Sequence, residues 1–549
     1  KYFLGGIDMI ANDTLDFIKN DIIVFSISVF FFIFIVLFLI FRDLKWVLIP
    51  LISTSYAIIL MIGLIGFLNW EITAISSNFI SLMLILSISM CIHIINNYRQ
   101  NFNHSNILHS LVQTIKKMFW PCFYTALTTI VAFGSLLFSD IKPVIDFGKI
   151  MIIGLSIIFI TSFTVLPLMI STLPTIEKKI IHNFSIINYF FKVSNKHKIK
   201  IYLLNFIFFI ISLFGIYKLN VENSFINYFK KNTEIYQGMK LIDQELGGTT
   251  PLDIVIKFKD ESKSNNNNDS EIISDDEILF DEELFENESS DSSWFTDEKL
   301  LTIKSIHHYL ENKKEIGKVQ SIYSLIKVAE QINKQPLSIF ELAIIYNQIP
   351  QNYKKQLIAP YLSIENNMVK INARIKDSEK IYRKELLDTI HNDLKNQYDI
   401  IEEIKVNGLI VLYNNMLQSL FSSQIKSFGI VLISIFIMFL ILFRSFKLSL
   451  IGIIPNIFAS SFILGFIGLA NIPLDIMTIT IAAITIGIAV DNTIHYLYKT
   501  RDNIQKNMTI KESLENSHKT VGQAVVTTSI TIAFGFSILC LSNFIPTIL

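Results

Sequence analysis

Residues Ile484–Arg501 read ITIGIAVDNTIHYLYKTR, apolar for most of their length yet carrying Asp491 and, four residues on, His495. On a helix that spacing sets both side chains on one face, about one turn apart. The apolar run from Ile472 to Val490, extended by the residues after it, is long enough for a helix that crosses a bilayer. An acid inside such a helix costs roughly 2.5–3.5 kcal/mol on insertion scales, so it ordinarily faces a protein interior and marks an ion or proton path. The bland alternative places Asp491 near the cytoplasmic end, simply hydrated. Lys499 comes only eight residues later, about 12 Å along the axis, which leaves that hydration strained. Asp491 is therefore expected to be functional.

The stretch occurs twice. SISMCIHIINNYR (Ser87–Arg99) aligns with AVDNTIHYLYKTR (Ala489–Arg501) in one gapless register. The register pairs Gly6 with Gly408, Phe41 with Phe443, Arg42 with Arg444 and Lys45 with Lys447. It continues through Gly63 with Gly465, Gly66 with Gly468, Asn69 with Asn471 and His93 with His495. After a one-residue slip it resumes as Ser110 with Ser513, Thr125 with Thr528, Thr128 with Thr531 and Pro143 with Pro546. The chain is an internal duplication, and that organises its architecture.

At 549 residues and 51% hydrophobic, with mean hydropathy +0.48, the chain reads as a polytopic α-helical membrane protein with a sizeable polar portion. Ten apolar segments are expected to span: 22–41, 46–68, 74–96, 121–138, 147–170, 200–217, 426–443, 448–470, 472–497 and 521–541. Residues 1–21 then read as a polar tail, 22–173 as a first membrane half with five spans, and 174–199 as a linker. Residues 200–217 open the second half, 218–425 form a polar domain, and 426–549 supply four further spans. Lys and Arg crowd the connections 42–45, 97–120 and 171–199, while 69–73, 139–146 and 471–475 hold Glu71, Asp140, Asp475 and the single Lys142. That bias makes the basic loops cytoplasmic and puts the large polar domain outside. Ile107–Met118 has apolar residues at helical spacing and a basic face, as an interfacial helix or a cytosolic docking surface would.

The polar domain mixes short β-like runs, Leu252–Phe258 and Met368–Ile375, with helical stretches such as Lys299–Asn312 and Lys380–Asn396, which suggests an α+β module. Within 262–298, the stretch Asp269–Glu298 holds thirteen acids and no base. Such composition predicts a disordered insertion; a calcium site lacks the ordered ligand spacing it needs. Cys91, Cys122 and Cys540 all lie in or beside apolar segments, leaving none for disulfides in the polar domain. No phosphate-binding loop, nucleophile elbow, H-E-x-x-H or C-x-x-C is present. The sequence therefore offers no catalytic, cofactor or metal constellation, and its net charge of zero carries no nucleic-acid signal. The hydroxyls of Thr125, Thr128, Thr528 and Thr531 either bridge spans or bond back to their own helices.

The duplicated pattern resembles the resistance–nodulation–division (RND) superfamily, in particular its lipid-exporting branch with MMPL-like and sterol-sensing-type membrane domains. GIAVDNTIHYLYKTR (Gly487–Arg501) looks like that branch's tenth-helix signature. Ser224–Ile256, SFINYFKKNTEIYQGMKLIDQELGGTTPLDIVI, looks like the opening of its second periplasmic porter domain. The resemblance implies a duplicated RND-type helix bundle, residues 1–21 as the tail of a first porter domain and 218–425 as a second. It further implies an inner-membrane exporter driven by proton influx, with relay acids on the fourth and tenth helices. Asp491 matches the tenth-helix acid. The fourth helix departs, with Ser89, Met90 and Cys91 where an acid is expected, so His93 or His495 is the remaining relay partner.

Two functional classes remain. One is a non-enzymatic exporter of lipids or other amphiphiles, with periplasmic or self-association partners. The other is a lipid-binding, sterol-sensing-like or assembly module without coupled transport, which the absent fourth-helix acid favours. The duplication also leads one to expect a longer parent, with about 170–210 residues upstream and about 30 downstream, the latter holding a last span.

Overall fold

The computed structural model describes residues 7–73, 75–100, 102, 107–172, 185–219, 224, 226–259, 294–377, 383–474, 476–542 and 545. The acidic insertion lies outside the described residues, apart from its last few. The chain forms two compact units, Ala11–Glu222 with Leu417–Leu549, and Lys1–Ile10 with Asn223–Met416.

The first half of the membrane unit contains α1 (Ile7–Phe41), α2 (Leu44–Phe67), α3 (Phe79–Gln100), α4 (Ile107–Gly134) and α5 (Lys142–Thr172). After these come α6 (Ser185–Lys196) and α7 (Lys198–Tyr217). Nine helices among the described residues are long and apolar enough to cross a membrane. The tenth expected span falls on a helix of 30 residues, Ile476–Gln505.

The soluble unit runs α8 (Glu234–Glu245), β1 (Thr250–Phe258), α9 (Asp297–Glu311), β2 (Ile316–Gln320), α10 (Ile322–Asn333) and α11 (Ile339–Gln348). It continues with α12 (Gln351–Tyr353), β3 (Leu362–Ser363), β4 (Met368–Ile375), α13 (Arg383–Gln397) and β5 (Ile401–Asn407). The sheet order is β2-β4-β1-β5, with β3 beside β4 and every pair antiparallel. With α9 and α13 as connections this is a split βαβ arrangement. On β1, Leu252, Ile254, Ile256 and Phe258 are fully buried while Asp253 and Lys257 alternate outward, the period-two pattern of a strand. Each such buried side chain stabilises by about 1.5–3 kcal/mol.

The second membrane half contains α14 (Leu409–Phe443), α15 (Phe446–Leu469), α16 (Ile476–Gln505), α17 (Ile510–Thr520) and α18 (Gly522–Ser537). The duplication is written into its backbone. Arg42 and Arg444, equivalent positions between the first two helices of each half, both adopt left-handed φ, 51° and 48°. Asn69 and Asn471 do the same at 52° and 51°. Each Asn closes its helix through paired bonds: Asn69 N–H to Gly66 O and Trp70 N–H to Ile65 O, then Asn471 N–H to Gly468 O and Ile472 N–H to Ile467 O. Asn tolerates this left-handed capping position better than most residues.

The halves differ in two places. In the first, the segment expected as an interfacial helix runs without a break into its span, as α4. In the second, the equivalent segment is the separate helix α17, started by a capping box between Thr509 and Glu512. It stops at Val521 before Gly522, where the first half has Phe119; Gly is the poorer helix former, by about 0.5 kcal/mol. Helix α7 is mostly exposed and packs on α15 through bare backbone. A Cβ at Gly215 would lie 2.0 Å from Gly465 O, and one at Gly468 would lie 1.9 Å from Gly215 O. At the equivalent Gly63 and Gly66 of α2 a Cβ meets nothing within 4 Å.

Candidate functional site

Among the nine spans of the described residues, α3 is the most deeply buried. It packs against α18 of the other half, while α16 packs against α4. These crossings bring α3 and α16 together at the centre of the membrane unit. Thr129 of α4 donates to Gly487 O of α16 at 3.3 Å, and a Cβ at Gly487 would already press on Thr129 Cγ2 and Ala132 Cβ at 3.3 Å.

Asp491 then meets its own repeat counterpart. Ser89 Oγ donates to Asp491 Oδ2 at 3.2 Å, and the two positions are 402 residues apart, one full repeat. His93 and His495 are separated by the same interval. Their rings stack with centroids 4.0 Å apart and planes 6° from parallel. A parallel duplication places a pseudo-two-fold axis between its halves, and residues on such an axis touch their own equivalents. Here Ser89 meets Asp491 and His93 meets His495, each at the position equivalent to its own in the other half.

His495 Nε2 lies 3.3 Å from Asp491 Oδ1, with side-chain exposures of only 5% and 14%. That approach is an ion-pair distance off the hydrogen-bond direction, and Asp491 Oδ1 and His93 Nε2 are both buried without a hydrogen-bond partner. A buried polar atom without a partner is costly, so its retention asks for a reason. Beside the carboxylate lies a cavity of about 20 Å³ lined by Ser89, Cys122, Thr125, Thr129, Asp491 and His495 together with apolar side chains. It has room for about one water. A carboxylate, two imidazoles and hydroxyls that both donate and accept form a set able to pass a proton along short steps.

The four relay residues expected from sequence, Asp491, His495, His93 and Ser89, are thus brought together. The threonines divide. Thr128 Oγ1 donates to Thr125 O at 2.8 Å, and Thr531 Oγ1 to Thr527 O at 2.9 Å. Thr528 donates to Val525 O at 3.0 Å, with Asn492 Oδ1 only at 3.5 Å. These three bond back to their own helices. Thr125 is different: its buried hydroxyl has no partner and faces the cavity. Thr129 and Cys122 were not singled out by sequence reasoning, and only their helical spacing from Thr125 would have flagged them.

His93, Asp491 and His495 present ligand-type atoms within 4.8 Å of one another. Each imidazole lone pair lies in its ring plane, however, and the two planes are nearly parallel. Two such lone pairs do not converge on one ion at the roughly 2.0–2.1 Å a zinc–histidine bond needs, so this arrangement does not fit a metal.

In the soluble unit His307 Nδ1 lies 3.0 Å from Ser321 Oγ and its Nε2 lies 3.2 Å from Glu311 Oε1. The trio has the residue types of a nucleophilic triad. Ser321 is fully buried, and its hydroxyl accepts the Tyr323 N–H as a helix cap, so no substrate reaches it. Burial pushes the His307 pKa below its usual value.

Compared with known proteins, residues 1–183 and 350–546 match the model of the MMPL family. A putative membrane protein of Methanocaldococcus jannaschii is 24% identical over 360 residues, covering 64% of this chain and 84% of that protein. Among solved structures, SecDF of Thermus thermophilus, a translocon-associated membrane protein, superposes with a TM-score of 0.55 at 11% identity. The likeness covers 98% of this chain, which spans 59% of the length of that one; it concerns the fold.

Proposed function

Because the chain belongs to the MMPL family, whose members are transporters rather than enzymes, we propose that it is an exporter of lipids or other amphiphiles driven by the proton-motive force. Asp491 is the proton-carrying acid. His495 is its partner within one helix face, and His93 extends the path to the other half. Ser89 orients the carboxylate. Thr125 supplies a hydroxyl to the adjoining cavity, with Thr128, Thr528 and Thr531 setting the helix geometry around it.

One observation carries this reading: the in-membrane acid and both histidines meet in one buried cluster, with Asp491 Oδ1 facing His495 Nε2 at 3.3 Å and His93 Nε2 buried without a hydrogen-bond partner. Ionisable groups kept buried in a membrane at such cost are ordinarily functional. A packing role would be better served by apolar residues. In this account the chain sits in the inner membrane with its soluble unit outside, and its cargo comes from the membrane itself.

Ser89 in place of a second acid favours one other reading, a lipid-binding or assembly module without coupled transport. A lipid that co-purifies with the protein, identified by mass spectrometry, separates the two. The exporter moves it between leaflets of proteoliposomes in a protonophore-sensitive manner. A module that only binds it gives the same lipid with no gradient-dependent movement, and that result ends the exporter reading.

A further inference from the structure

The membrane unit holds a second cavity, of about 310 Å³, at the C-terminal end of α2 and the first turns of α5. It shares no lining residue with the Asp491 site. Asn69, Trp70, Glu71, Lys142, Asp146 and Lys149 form most of its wall. The volume is at the lower end of the range for small-ligand sites.

Two cations and two acids face one space. Lys142 and Glu71 are 3.8 Å apart and largely exposed, and Lys149 reaches Asp146 at 3.1 Å. The exposed Lys142–Glu71 pair holds together weakly, so its charges remain available to a ligand; the Lys149–Asp146 pair is more enclosed.

At the turn, the repeat shows that the fold does not need Trp70 and Glu71. Asn471 keeps the left-handed turn of Asn69, yet Trp70 and Glu71 correspond to Ile472 and Pro473, Lys142 to Ile545 and Asp146 to Leu549. The same turn is built without charge or aromatic ring. A reason specific to the first half is required.

We propose that this cavity binds a zwitterionic phosphoryl-ammonium headgroup. The phosphoryl oxygens lie against Lys142 and Lys149, and the ammonium against Glu71, Asp146 and the Trp70 ring. Lys ammonium groups serve as point-charge partners for phosphate, and an indole face attracts a cation. A simple anion would meet two carboxylates and a simple cation two ammonium groups, so only a ligand carrying both signs is matched throughout. The loops concerned, 69–73 and 139–146, share the side of the membrane poor in Lys and Arg. A headgroup delivered there rests on the exporter reading; the binding itself does not.

Calorimetric titration of the full chain in nonionic detergent with dihexanoyl-phosphatidylethanolamine tests this directly. Saturable binding is expected, weaker by about tenfold or more in Lys142→Gln/Lys149→Gln, as loss of charge-assisted bonds implies. Dihexanoyl-phosphatidylglycerol should bind the wild type poorly and gain on the zwitterion in Glu71→Gln/Asp146→Asn, a reversal that a merely structural role does not produce. No saturable binding, unchanged affinity in both double variants, or equal affinity for the two lipids would each overturn the proposal. Equal affinity for soluble glycerophosphoethanolamine would overturn a lipid source and assign the site to a free solute. Because no transport is read, a failed exporter reading and a failed headgroup site give separate results.

Discussion

Gly468→Leu should detach α7 from the membrane unit, whereas Gly66→Leu, the same change at the equivalent position, should not. At Gly468 even the Cβ would lie 1.9 Å from Gly215 O and 2.8 Å from Gly215 C. Ordinary contact begins near 3.4 Å, so the helices must part by well over 1 Å. That separation forfeits much of the dispersion energy of the whole seam. Helix α7 buries only Ser212 and Gly215, and among the described residues its main packing partner is α15. Overpacking of this kind costs about 1–3 kcal/mol, and no hydrophobic drive between helices in lipid compensates. Phe209 and Phe458 have ring centroids 4.9 Å apart across the seam. Cysteines in their place, in a chain with Cys91, Cys122 and Cys540 replaced, report the seam through a short thiol crosslinker. Crosslinking should be efficient in the parent and in Gly66→Leu, and lost in Gly468→Leu. Equal yields in the two variants would refute the reasoning from backbone contact.

The soluble unit and the orientation give further tests. His307 is held below its unfolded value of 6.5 by burial, so its stability contribution is present above that pH and is lost as pH falls below it, by at most about 1.4 kcal/mol per pH unit. Protection factors of β1 amides in the full chain, corrected for the intrinsic slowing of exchange in acid, should fall below pH 6.5, and His307→Gln should flatten that dependence. Arg383 and Asp377 form a buried pair, with Asp377 also accepting from Ser224 Oγ at 2.9 Å and Ile226 N–H at 3.1 Å. Arg383→Met alone should destabilise the unit by about 3–5 kcal/mol, and Arg383→Met with Asp377→Leu by much less, as read by thermal unfolding of the purified chain. Finally, cysteine at Asn333 should react with an impermeant thiol reagent in intact spheroplasts and cysteine at Ser194 should not; the reverse pattern inverts the assigned orientation.

Much of this was legible in one dimension because the signals are local or periodic. The gapless register between Phe41–Lys45 and Phe443–Lys447 foretold turns that share φ at Arg42 and Arg444. The β-like runs Leu252–Phe258 and Met368–Ile375 foretold β1 and β4, and Met368–Ile375 is a strand over its full expected length. The lone acid in an apolar span pointed to Asp491, which the fold places against Ser89 and His495. What the sequence could not express is which residues the packing of the two halves brings together. Ser89 reads as the absence of an acid, and only the fold makes it the hydrogen-bond donor to Asp491. Thr125 and Thr528 read as equals, yet one lines the cavity and the other bonds to its own helix. The break at Val521 falls at one Gly in place of Phe, a difference of about 0.5 kcal/mol that no longer-range pattern announces. Trp70, Glu71 and Lys142 looked like loop residues, because a shared cavity is a property of two loops in space.

The central claim is that Asp491 carries the proton that drives export. In proteoliposomes holding NBD-labelled phosphatidylethanolamine, an imposed pH gradient should drive leaflet-to-leaflet movement of the label by the wild-type chain. Asp491→Asn, which removes the charge at nearly the same volume, should insert normally and reduce that movement to the level left by a protonophore. Gradient-driven movement at the wild-type rate in Asp491→Asn would contradict the account.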